Sequence, residues 1–182
     1  MTFEVEQKFR LTGAESLEAK LLALGAPSPV ATEQIDSYFA HPSRNFGQTD
    51  EALRIRCVGE QNFITYKGPK IDATTKTRRE IELSLLAGRE YADQLRQLLE
   101  ALGFRPVAEV RKLRRATRVA WQDAEIEVTL DDVQDVGLFA ELELTADDAG
   151  LDAAKANLAA LAQELGLTAS ERRSYLELLL GE

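Results

Sequence analysis

Strand after strand, this chain alternates an ionised side chain with an apolar one, and that two-residue period constrains its fold more than any other feature. In "EVEQKFRL" (4–11) Glu4, Glu6 and Lys8 share one side while Val5, Phe9 and Leu11 share the other. Arg54 and Arg56 alternate with Leu53 and Ile55, Lys67 with Ile64 and Tyr66, and Arg78, Glu80 and Glu82 with Ile81 and Leu83. Lys112 and Arg114 flank Leu113. Glu125, Glu127 and Asp131 alternate with Ile126, Val128 and Leu130, and Glu141 and Glu143 with Leu142 and Leu144. One such strand alone reads as a solvated outer face carrying ordinary ion pairs. Here nearly every polar position is ionised, and several strands carry one sign only.

The spacing predicts strands at 4–11, 33–40, 52–58, 62–68, 76–85, 105–120, 124–133 and 137–145. Helical spacing predicts amphipathic helices at 13–25 and 88–103, closed by Gly25 and Gly103, and two more at 151–165 and 170–180. Gly59 to Gln61 should form a tight hairpin, residues 41–50 a turn-rich loop, and 68–75 a mobile loop with Lys70 and Lys76 near its ends. No repeat or linker interrupts the order. The expectation is a single α+β domain over 1–182, with antiparallel strands and helices packed outside.

The helices must cover the apolar face of the sheet, so the charged face looks the other way. If the sheet closes, that face lines an interior. So many charges cannot sit dry, because each unpaired buried ion costs several kcal/mol even after relaxation. A closed sheet would therefore surround a water-filled tunnel holding something ionic, and an open one would leave the same face in a cleft. Rows of arginine and lysine suit phosphoryl oxygens. Rows of carboxylates suit Mg²⁺ or Mn²⁺, which take oxygen ligands and bridge to phosphate. No Walker A spacing is present, so side chains rather than a backbone nest would hold the phosphates.

Taken in order, the ExExK of Glu4, Glu6 and Lys8, the RxR of "LRIR", "YKGPK", the ExE of "REIEL", the KxR of "RKLR" and the late "ELEL" resemble the CYTH superfamily. These are the triphosphate tunnel metalloenzymes, which include class IV adenylate cyclases, thiamine triphosphatases and inorganic triphosphatases. The resemblance spans nearly the whole chain, and "QIDSYFAHPSRNF" and "RRSYLELLL" look closest to the class IV adenylate cyclase branch. It implies a closed eight-stranded antiparallel β-barrel. It implies that Arg54, Arg56, Lys67, Lys112 and Arg114 grip a triphosphate, joined by Lys8 and Arg78. Metal ligands are implied among Glu4, Glu6, Asp131, Glu141 and Glu143, supported by Glu80 and Glu82.

Two reactions fit one tunnel: cyclisation of ATP to cyclic AMP and pyrophosphate, or hydrolysis of inorganic triphosphate, thiamine triphosphate or a nucleoside triphosphate. The catalytic candidates are Lys67 and Arg78, to neutralise the leaving group, and Glu80, a tunnel carboxylate to accept the proton. Charge reversal of Arg54 together with Arg56 is expected to abolish turnover and spare the fold. A non-catalytic polyphosphate or nucleotide binder is the third reading, though anion binding alone needs no carboxylate rows. His41 reads as a loop-packing residue, and Cys57 as a small hydrophobe turned toward the helices. Tyr175 reads as closing a tunnel mouth or as core.

The net charge of −9 argues against a nucleic-acid or anionic-membrane partner. With one cysteine there is no internal disulfide, and no stretch approaches the ~18 apolar residues of a membrane helix. The first residues lack a basic and apolar leader, and a cytoplasmic protein is expected. The small-molecule triphosphate is the expected partner. Homodimerisation, known in the cyclase branch, is an assembly that the resemblance leaves open.

Overall fold

A computed structural model describes residues 2–69 and 77–181. The elements run β1 (Thr2–Arg10), α1 (Glu15–Ala23), β2 (Val30–Ala40), α2 (Phe46–Thr49), β3 (Ala52–Val58), β4 (Gln61–Lys67), β5 (Glu80–Ser84) and α3 (Arg89–Ala101). They continue with β6 (Arg105–Trp121), β7 (Ala124–Val133), β8 (Gly137–Asp147), α4 (Leu151–Leu165) and α5 (Tyr175–Leu180). All eight strands form one antiparallel sheet in the order β1-β8-β7-β6-β2-β3-β4-β5.

The alternation sorts the two faces as expected. On the convex side Val5, Val128, Leu130, Ala140 and Leu142 pack under Leu17 and Leu21 of α1 and Leu158, Leu161 and Leu165 of α4. Farther round, Phe39 and Ile55 pack under Ala92 and Leu99 of α3, with Cys57 at the edge of that cluster. The exception is α5. It sits against the concave, charged face at one end, where Tyr175 joins Phe139, Val110 and Val133. Phe139 lies two residues from Glu141 and so on the same face of β8, which identifies the side. Not every helix is therefore outside.

Two further differences have local causes. The loop expected at 41–50 contains α2, a single turn whose Asn45 side chain accepts from the Gln48 amide. The final helix starts at Tyr175 rather than at 170, because Ser174 and Glu177 form a reciprocal capping box. Ser170 before it bridges to Phe9 instead.

The sheet is curled rather than fully closed. β5 pairs along its length with β4, and among the described residues its side meets β1 at one isolated bridge, Glu4 to Arg78. There the Arg78 amide donates to the Glu4 carbonyl at 3.4 Å. The continuous closed barrel expected from the sequence is thus present as an eight-stranded half-barrel. The expected mobility of the 68–75 loop, and the start of a strand at Lys76, fall largely on 70–76 and lie outside the described residues.

Because Leu158 is completely buried between α4 and the sheet, Leu158→Ala should cost about 3 kcal/mol through the lost transfer energy and the cavity left behind. Urea unfolding would read this as a lower midpoint. A loss within experimental error would mean that α4 does not carry the core.

Candidate functional site

The concave face of the half-barrel encloses a cavity of about 900 Å³. Its floor is built from alternate positions of the strands: Glu4, Glu6 and Lys8 from β1, Arg54 and Arg56 from β3, Lys67 from β4, and Glu80 and Glu82 from β5. Lys112 and Arg114 of β6, Glu141 and Glu143 of β8, and Arg78 of the β1 bridge complete it. One candidate, Asp131, does not line the space. It lies beneath the floor, fully buried.

The cations of the floor are held by carboxylates below them. Asp36 of β2, 1% exposed, stands directly opposite Arg56 in the β2–β3 ladder. Arg56 donates side-on, from Nε to Oδ1 at 2.7 Å and from Nη2 to Oδ2 at 2.7 Å, and Arg54 Nη1 adds a bond to Oδ2 at 3.2 Å. Burial alone would raise the Asp36 carboxyl, but Arg54 and Arg56 outweigh it and hold the group far below the usual carboxylate range. Asp131 of β7 stands opposite Arg114 in the β6–β7 ladder. Arg114 donates from Nε to Oδ1 at 2.7 Å and from Nη2 to Oδ2 at 2.5 Å, while Lys112 Nζ reaches Oδ2 at 3.0 Å. Burial and the neighbouring Arg114 push the Lys112 ammonium down to about 8.

Tyr175 links this second group to α5. Its hydroxyl donates to Asp131 Oδ2 at 3.0 Å, and its ring lies under two ammonium groups, Lys8 at 4.0 Å and Lys112 at 5.0 Å from the centroid. Both readings of Tyr175 hold: it is buried, and it walls one end of the cavity.

Across the gap between the sheet edges, Lys67 Nζ donates to Glu4 at 2.9 Å and lies 2.6 Å from Glu80. Arg54 is 3.9 Å from Glu80, and Thr65 donates to Glu82 at 2.9 Å. Burial opposes ionisation of Glu4, but Lys67, Arg78 and Arg54 prevail and keep its pKa low.

The acidic side is arranged differently. Glu6 and Glu143 face each other across the β1–β8 ladder, and Glu143 also faces Glu127 of β7. Burial, followed by Glu4 and Glu6, pushes the Glu143 carboxyl up to about 8. Such a surplus of negative charge is what a divalent cation would relieve, so Glu6 and Glu143 fit a metal chemically, with Glu141 beside them, its Oε2 accepting one bond from Arg114 Nη2 at 2.5 Å. Among the described residues, however, no three acidic, His or Cys groups converge into a ready cage. Glu125 and Glu127 pair with exposed Arg118, at 2.8 and 3.7 Å, at the far end of the trough.

Reading motifs singled out both halves of the basic row but missed Asp36. The signal was there: writing 33–40 by parity puts Asp36 and Tyr38 on the charged face. Its meaning needed the strand order, which seats β2 between β3 and β6. His41 is a packing residue as expected, its Nδ1 accepting from the Ser43 and Arg44 amides and its ring against Phe46 and Phe104. No helix among the described residues is long and apolar enough to cross a membrane.

Comparison with known proteins agrees with this architecture. The chain is 40% identical over 136 residues, 75% of its length and 73% of the relative's, to "Putative adenylate cyclase MJ0240" of Methanocaldococcus jannaschii. It superposes on the solved structure of the PH1819 protein from Pyrococcus horikoshii with a TM-score of 0.84 at 38% identity, covering 98% of each chain. A putative adenylate cyclase from Vibrio parahaemolyticus gives 0.81 at 25% identity, again covering 98% of both. With the CYTH domain matching residues 2–175, the chain belongs to the CYTH family.

Proposed function

We propose that this protein is a divalent-metal-dependent enzyme acting on a triphosphate held in the charged trough, which works as a tunnel, and that its reaction is adenylate cyclase-like. The observation that carries the reading is one cavity with Lys8, Arg54, Arg56, Lys67, Arg78, Lys112 and Arg114 on its floor beside Glu6, Glu141 and Glu143. A row of this kind can bind successive phosphoryl groups, the guanidinium forks meeting pairs of oxygens. Cations fixed in place stabilise charge as it develops without reorganising at the moment of reaction. Mg²⁺ or Mn²⁺ bound at Glu6, Glu141 and Glu143 would polarise a phosphoryl oxygen. In the cyclase reaction the 3′-hydroxyl of ATP attacks the α-phosphorus and pyrophosphate leaves. Lys67 and Arg78 would neutralise that leaving group, and Glu80, which pairs with Lys67 at 2.6 Å, would take the proton.

The names borne by the Methanocaldococcus and Vibrio relatives support cyclisation. Hydrolysis of a terminal phosphoryl group is the second reading. The charged floor addresses phosphates alone, so bare triphosphate, thiamine triphosphate and a nucleoside triphosphate would meet the same grip. Phosphorus NMR with Mg²⁺ or Mn²⁺ and each substrate in turn decides between them. Cyclic AMP with pyrophosphate from ATP is the expected result, whereas orthophosphate as the first product makes it a triphosphatase. No turnover of any of the three would end the enzymatic reading.

Charge reversal at Arg54 and Arg56, expected from the sequence to spare the fold, would strand buried Asp36 among carboxylates and break the structure instead. Lys67→Gln is the cleaner variant, since Lys67 is partly exposed and its partners Glu4 and Glu80 also reach water. It should lower kcat/KM by about a hundredfold, the usual cost of one oriented donor. Undiminished turnover in folded Lys67→Gln would remove Lys67 from the chemistry.

Glu143 generates a pH dependence. Its carboxyl rises from an ordinary 4.5 to about 8 on folding, so the folded chain holds that proton more tightly than the unfolded one. Stability of the metal-free protein should therefore fall as pH climbs from 4.5 to about 8 and level off above. Glu143→Gln should remove its share of that slope, and Mg²⁺ should recover most stability at the alkaline end. Urea unfolding across this range checks it, and identical slopes in the two proteins would refute the assignment.

A further inference from the structure

The two basic pairs are built to one plan. In each, an aspartate sits opposite an arginine in an antiparallel ladder, Asp36 to Arg56 and Asp131 to Arg114. In each, that arginine closes a side-on fork through Nε and Nη2, with Nε at 2.7 Å from Oδ1. The cation two residues earlier on the arginine's strand, Arg54 or Lys112, gives a single bond to Oδ2, at 3.2 or 3.0 Å. Both carboxylates are buried, and neither lines the cavity that every one of the four cations lines. The pairs adjoin, since β2 and β6 are neighbours and Gln34 stands opposite Lys112.

From this duplication the geometry points to Asp36 and Asp131 as a matched pair of positioning carboxylates. They aim the four cations at the phosphates, and neither holds the metal. The inference rests on the reading of the cavity as a triphosphate site. Chemistry favours it on two counts. A side-on fork uses two of the five guanidinium N–H donors and fixes the plane of the rest; Arg114 Nη2 gives a further bond to Glu141 at 2.5 Å, and the Nη1 edge is the one delivered to a ligand without further ordering. And Asp131, with Tyr175 added, already accepts from three residues, so a metal there would have to displace an arginine fork. Asp36 has no place in the acidic motifs at all. Its pairing with Arg54 and Arg56 is its function.

The test is calorimetry with inorganic triphosphate as the probe, once with a chelator and once with Mg²⁺, on the wild type, Asp36→Asn, Asp131→Asn and Glu143→Gln. Asp36→Glu and Asp131→Glu, which keep the buried charge but lengthen its arm, carry the test where an amide variant does not fold. Folding is checked by circular dichroism. Both aspartate variants should bind metal-free triphosphate about ten- to a hundredfold more weakly, the loss typical of outer-shell partners, with the Mg²⁺ dependence unchanged. Glu143→Gln should do the reverse. Wild-type protein that ignores triphosphate would defeat the functional reading itself. Wild type that binds it while folded aspartate variants bind equally well would overturn the positioning role alone. A shifted Mg²⁺ dependence in Asp131→Asn, with metal-free binding intact, would make Asp131 a ligand and overturn it too. So would loss of the fold in all four aspartate variants, which would leave these groups a purely structural part.

Discussion

A dense row of ammonium and guanidinium groups survives half-buried only where carboxylates are interleaved with it. Everything about this concave face follows from that electrostatic condition. Four cations on two strands, β3 and β6, share two buried aspartates, and Lys67 of β4 shares Glu4 and Glu80. Each aspartate draws one positive charge out of the field and leaves another facing the cavity. On the acidic side the sign inverts, and Glu6, Glu143 and Glu127 stand in one row across three strands, with burial and the neighbouring Glu4 and Glu6 raising the Glu143 carboxyl.

The interior of the site is also braced from the end. Tyr175 does two different things at once, lending its ring face to Lys8 and Lys112 and its hydroxyl to Asp131. That brace hangs on α5, a helix of six residues that no propensity would sustain alone. The capping box of Ser174 and Glu177 and the apolar contacts of Leu176, Leu178 and Leu179 supply what length does not.

What the sequence made legible was whatever local periodicity encodes. β3 at 52–58, β7 at 124–133 and α4 at 151–165 coincide with their expected limits, because each has a strong period and clear breakers at its ends. The face of every charged strand could be read the same way. What could not be read was decided at a distance. α2 exists because a local Asn45 cap and packing at Phe46 fix one turn, too short to leave a period. The role of Asp36 depends on which strands flank β2. Asp131 carries the right charge on the right strand for a metal ligand, yet depth sets it under the floor, and parity carries no depth. Closure of the barrel likewise depends on how far the curl carries β5 toward β1, a sum of many small twists.

The incompleteness of that closure changes what the trough is mechanically. A barrel laced shut by backbone ladders has a bore fixed by strand number and stagger, and no ligand can alter it cheaply. Here the described edges meet at one backbone bridge beside a clasp of side chains, with Lys67 of β4 gripping Glu4 of β1 and Glu80 beside it. The groups that fasten the clasp are the same kinds of group that a phosphate and a metal ion compete for. A triphosphate and metal bound as proposed would therefore loosen the seam, making the girth of the trough a property of its contents as well as of the chain.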